Sequence, residues 1–162
     1  MTATTRWIGL AVFVAVCLGA GGLGAIATTP EIAGWYRTLA KPAWNPPGWI
    51  FGPVWSALYT LMAVAAWLVW RAAGLSAAKG PLALYLVQLA LNALWTWVFF
   101  RWRLGGWALT EIMVLWLVLV PTVVNFWRVR PVAGVLLLPY WAWVTFAAAL
   151  TAAVWQRNPG VL

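Results

Sequence analysis

Charge is what this chain has least of. Only 7% of its 162 residues are charged, against about 25% in an ordinary soluble domain. A water-facing surface cannot be built from so few, so most of the outside must face lipid. Acidic residues are just two, Glu31 and Glu111, beside ten basic ones. Histidine is absent, which excludes His-based metal sites, His general bases and a His-ligated haem. A single cysteine, Cys17, excludes an intrachain disulfide and is silent on redox compartment. No paired carboxylates and no nucleophile beside a base are visible, so nothing points to a conventional acid–base enzyme.

What is present is apolar. The segments 7–30, 42–70, 80–100, 112–127 and 131–156 carry no charge. A helix needs roughly 20 apolar residues to cross a bilayer core of about 30 Å. Four of these segments suffice alone, and the fourth in order becomes a full span once Glu111 is counted inside it. The predicted fold is an all-α integral membrane protein, one domain over 1–162, with five transmembrane helices at about 6–28, 47–71, 80–101, 105–127 and 131–156. Helices satisfy their own backbone hydrogen bonds in lipid, and the runs are too long and continuous for barrel strands. The first run exceeds the 7–15 residues of a signal-peptide core and is read as a span.

The basic residues lie singly or in pairs between the helices, with no cluster suited to nucleic acid. Arg6, Arg71, Lys79, Arg128 and Arg130 fall at one end of the bundle, and Arg37, Lys41, Arg101, Arg103 and Arg157 at the other. Five against five leaves the orientation undetermined. "GAGGLG" at 19–24 matches a dinucleotide fingerprint, but inside an apolar helix it reads as small residues permitting close helix approach. "QRNPGVL" reads as a short polar tail. Glu111, one to two turns into its helix, is expected to reach the interface or pair with Arg103 or Arg101.

The long connection, 29–46, leads into "KPAWNPPGWIFGPVW" at 41–55. Pro42, Pro46 and Pro47 stiffen it, and Pro46 or Pro47 is expected in the first helical turn. Trp44 and Trp49 suit the headgroup level. Trp55 lies deeper. At helical spacing Trp55, Tyr59 and Met62 share one face, as do Gln88, Asn92, Trp95 and Phe99. Trp107, Thr110 and Val114 share another. Tyr140, Trp143, Ala147 and Leu150 share a fourth, with Phe146 beside it. Two readings stand. Gln88 and Asn92 bond across helices while aromatics fill space, or the faces enclose an aromatic pocket for a flat apolar ligand. In the second reading the stiff loop is a lid, with Arg37 and Lys41 at the rim to meet a ligand carboxylate.

"WYRTLAKPAWNPPGWIFGPVWSALY" (35–59), "QLALNALWTWVFF" (88–100), "GWAL" (106–109) and "LPYWAW" (138–143) together resemble the TspO/MBR family over nearly the whole chain. The resemblance implies a five-helix bundle, a homodimer, and a cavity under the first loop. It implies protoporphyrin IX or haem as ligand and no cofactor required for folding. Cholesterol and benzodiazepine-type compounds are ligands of some members. Bacterial members are linked to tetrapyrrole regulation and stress. It also implies light- and oxygen-dependent breakdown of protoporphyrin IX in some members, with essential tryptophans matching Trp55 and Trp143. Pocket positions match Tyr59, Asn92, Trp95, Trp107, Ala147 and Leu150. In one departure, Ala152 stands where the animal cholesterol motif has Tyr, which argues against tight sterol binding.

Three functions follow as expectations: a tetrapyrrole-binding receptor or transporter, a photo-oxidative porphyrin degrader, or a membrane scaffold or sterol binder. With no histidine, iron in a bound haem has only Cys17, Tyr59, Met62 or Met113 as ligand types. The expected partners are porphyrin, membrane lipid and a second copy of the chain. The expected location is a bacterial membrane, inner or outer undetermined.

Overall fold

The computed structural model describes residues 2–162, and every element in it is helical. α1 runs Ala3–Ala33, opened by the Thr2 hydroxyl accepting from the Thr5 N–H. It outlasts its predicted end at 28 and carries Glu31 on its last turn. Pro30 removes one amide hydrogen bond without ending the helix, while Thr28 bonds back to the Gly24 carbonyl at 2.9 Å. A single turn, α2 (Trp35–Thr38), occupies part of the predicted loop. Pro46 and Pro47 stay outside the next helix, with Pro47 capping a 3₁₀ turn at Gly48–Ile50. Pro53 is the proline that sits in the first turn of α3, where a missing N–H costs little.

α3 extends over Phe51–Thr96 and breaks only at Gly74, whose φ of 71° and ψ of 169° suit a residue without Cβ. The arms 51–73 and 75–96 then lie against each other. The Tyr59 hydroxyl donates to Asn92 Oδ1 at 2.7 Å, and Gln88 reaches the Met62 sulfur at 3.9 Å. The gap between the helices predicted at 47–71 and 80–101 is thus mostly helix, because one glycine makes the reversal. A π turn at Trp97–Arg101 follows, closed by the Trp102 N–H on the Trp97 carbonyl at 2.8 Å. α4 (Gly105–Val129) and α5 (Pro131–Arg157) are separated by Arg130 alone, whose extended backbone ends one helix while Pro131 starts the next.

Four helical stretches are long and apolar enough to cross a membrane: Ala3–Ala33, Gly48–Arg101, Gly105–Val129 and Pro131–Arg157. α3 is central, touching α1, α4 and α5. Its first arm packs through Ala63, Ala65 and Ala66, which permit close approach. Gly21 of the 19–24 motif lies under the Tyr59 ring, where a Cβ would come within 2.7 Å, and Gly24 lies on Thr96. Gly19 and Gly22 face open space. Gly21 and Gly24 are thus the positions of the motif at which α1 approaches α3 closely.

Candidate functional site

The arms of α3, the π turn, α5, Tyr36 of α2 and one edge of α1 line a cavity of about 350 Å³. Aromatic rings from four of these elements, Tyr36, Trp55, Trp95, Phe99 and Trp143 among them, form much of its wall. Trp55 meets Trp143 edge to face at 6.4 Å and Tyr59 at 5.4 Å between ring centroids. Trp95 stacks on Phe99 at 5.4 Å with planes 10° apart. The π turn is what delivers Phe99 and Phe100 together to the wall, since its extra residue re-aims the side chains that follow.

Most hydroxyls on the wall are turned back onto their own helices, Thr28, Ser56, Thr96 and Thr151 each donating to a backbone carbonyl. The polar side chains bonded to each other there are Tyr59 and Asn92. Asn92 accepts from the Tyr59 hydroxyl and donates to the Tyr140 hydroxyl at 3.1 Å, tying the two arms of α3 to α5. Buried polar groups normally find such partners. Trp95 Nε1 and Gln88 Oε1 have none among the described residues.

Of the ligand-binding positions expected from sequence, Trp55, Tyr59, Asn92, Trp95, Trp143, Phe146, Ala147 and Leu150 line this cavity. Four do not. Gln88 is fully buried between the arms against Met62. Tyr140 is fully buried behind the wall, touching Trp55 and bonded to Asn92. Trp107 is 70% exposed on the outside of α4. Thr110 is exposed one turn on and bonds back to the Gly106 carbonyl. Trp107, Thr110 and Val114 do share a face, but α4 turns that face away from the bundle. Nor does Glu111 pair with Arg103 or Arg101. Both its carboxyl oxygens are buried without a partner among the described residues, and Arg103 instead pairs with Glu31 at 3.2 Å.

Sequence reasoning missed Phe51, Ser56, Thr96 and Thr151 on the wall. It also missed how one side is open. Leu18, Gly22 and Ala25 of α1 and Gly52 and Ser56 of α3 line the cavity and are exposed on the apolar flank. No periodicity marks a residue as both wall and surface.

The segment expected to act as a lid is fastened from several directions. Lys41 Nζ donates to the carbonyls of Tyr36 and Leu39 at 2.7 Å and of Arg37 at 3.2 Å. Its three protons are therefore used on the backbone, and it is not free to meet a ligand carboxylate as expected. Burial, and secondarily the nearby Arg37 charge, push the Lys41 ammonium below its usual pKa. Burial holds the Tyr36 phenol up at about 12, so it remains a donor, to Asn45 Oδ1 at 2.8 Å. Asn158, in the tail read as merely polar, pairs with both the N–H and the carbonyl of Ala40 at 2.9 Å. Trp44 rests edge-on against Phe146 of the cavity wall. Pro46, Pro47 and Trp49 line a second hollow on the lid rather than the main cavity.

The model of the TspO/MBR family matches residues 13–156. The chain belongs to the TspO/MBR family. It is 43% identical to the translocator protein of Homo sapiens over 78% of this chain and 76% of that one. It is 43% identical to protein CrtK of Rhodobacter capsulatus over 93% and 92%. It is 40% identical to the tryptophan-rich sensory protein of Cereibacter sphaeroides over 94% and 92%. Family membership and the long apolar helices together make this TspO/MBR chain an integral membrane protein.

Proposed function

We propose that this TspO/MBR protein crosses the membrane five times, α3 supplying two of the crossings, and binds a tetrapyrrole such as protoporphyrin IX in the cavity under its lid. The observation that carries this reading is the wall itself. Trp55, Trp143, Trp95 and Phe99 offer ring faces and edges to a flat apolar macrocycle, and Asn92 with Tyr59 supplies one polar point to orient it. The volume lies in the range of about 300–1,000 Å³ usual for small-molecule pockets.

The residues do not fit iron ligation. Cys17 is buried and hydrogen-bonded to Tyr85, Met62 is fully buried, and Met113 is exposed on α4. Tyr59 is on the wall, but its hydroxyl is given to Asn92. Among the described residues no His, Cys, Asp and Glu group could hold a metal. Binding is therefore by stacking and shape, equally for haem and the metal-free ring.

A second reading, light- and oxygen-dependent breakdown of protoporphyrin IX, is favoured by one observation. Trp55 and Trp143 touch edge to face on the same wall, where either could exchange an electron with an excited ring held against it. Titration of protoporphyrin IX into purified protein, in dark and in light, beside Trp55→Phe and Trp143→Phe, separates the two. A shifted Soret band in the dark that is stable in light is the binding result. A new product formed only in light and lost in either variant is the degradation result. Absence of any spectral change in the dark contradicts both.

A further inference from the structure

The lid encloses a second hollow of about 440 Å³, between the end of α1, the α2 turn and residues 45–49. It shares Ile32 and Tyr36 with the main cavity but has different chemistry. Arg37 and Lys41 line it, and no acidic side chain does among the described residues. The nearest acid along the chain, Glu31, is engaged by Arg103. The polar ends of Asn45 are both occupied, by the Tyr36 hydroxyl and the Pro46 carbonyl.

Lys41 is held by backbone carbonyls, yet its charge remains beside Arg37, and the two repel. The Arg37 side chain is exposed and has no hydrogen-bond or ion-pair partner among the described residues. Two cations thus face one hollow with no counter-charge. An arginine fork is well matched to phosphate oxygens. The rim is equally informative. Trp49 is 74% exposed there, next to Pro47, at the end of two membrane-crossing helices. Tryptophans at such positions mark the headgroup level, where the abundant anion is a lipid phosphate.

We propose that the lid hollow binds the phosphate of an anionic lipid headgroup, with Arg37 as its hydrogen-bonding cation and Trp49 against the glycerol and upper acyl chains. Free inorganic phosphate has the same chemistry without the apolar part. The inference does not depend on what occupies the main cavity. Because the Arg37 side chain has no hydrogen-bond or ion-pair partner among the described residues, its replacement leaves the polar fastenings of Tyr36, Lys41, Asn45 and Asn158 in place.

The test is native mass spectrometry of the full chain in detergent, with phosphatidylglycerol and phosphatidylcholine of identical acyl chains. The native protein is expected to retain phosphatidylglycerol preferentially. Arg37→Gln is expected to lower that retention about tenfold or more, the loss of one charge-assisted hydrogen bond. Arg130→Gln, at the α4–α5 turn, is expected to leave it unchanged, and Arg37→Lys to retain part of it. Competition by inorganic phosphate would assign the site to the phosphate group alone. Failure of phosphate to compete would assign it to the lipid. Equal retention of both lipids, or retention by Arg37→Gln equal to native, would overturn the proposal.

Discussion

Asn92 is the residue on which the interior polar chemistry turns. One amide serves two phenols, Tyr59 of the first arm of α3 and Tyr140 of α5. Asn92→Leu keeps the volume roughly but leaves both phenols without their partner. A buried polar group left unsatisfied costs about 1–3 kcal/mol, so thermal unfolding in detergent should fall by several degrees. Porphyrin affinity should fall with it, since the orienting group is lost. Asn158→Ala acts elsewhere, freeing the N–H and carbonyl of Ala40. Limited proteolysis should then cut the segment 39–47 faster, with little change in the unfolding midpoint. The partnering of Asn92 was legible, because two carboxamides on one face of a membrane helix must point inward. The staple at Asn158 was not, since its partner lies 118 positions away in the chain.

At the scale of elements, glycine position matters more than glycine content. Gly74 holds φ at 71°, and α3 reverses there. Gly74→Ala should cost about 1 kcal/mol or more, because a Cβ is disfavoured at positive φ. Gly21→Ala would press on the Tyr59 ring and alter the cavity, whereas Gly22→Ala meets open space and should change little. Comparing the unfolding midpoints of these three variants checks the assignment. The helical segments themselves were readable from the gaps between charges. Their ends were less so. Pro30 and the charges Arg71 and Lys79 look like boundaries, yet helix continues past Pro30 and through Lys79. The face of α4 was misread for a related reason. On a helix apolar nearly all round, spacing shows which residues share a face but not which way it points. Trp107 and Thr110 therefore look inward in sequence and lie outward in space.

For the whole molecule, the segment after α1 is fastened at Tyr36, Lys41, Asn45 and Asn158 and reaches the cavity through Tyr36, while the cavity's flank between α1 and the first arm of α3 is lined by exposed residues. The ligand proposed for this space is a flat apolar ring held by its walls. Ala147 is an α5 residue on the wall and is only partly buried, so a larger side chain there projects into the cavity. The most direct measurement is the dissociation constant of protoporphyrin IX, read from the Soret shift in the dark, for the native protein and for Ala147→Phe, with circular dichroism confirming equal helicity. Affinity weakened about tenfold or more in the variant is the expected result, since displaced stacking contacts of this kind are worth on the order of 1.5 kcal/mol. Equal affinity in the two proteins would place the porphyrin somewhere other than this cavity and contradict the account.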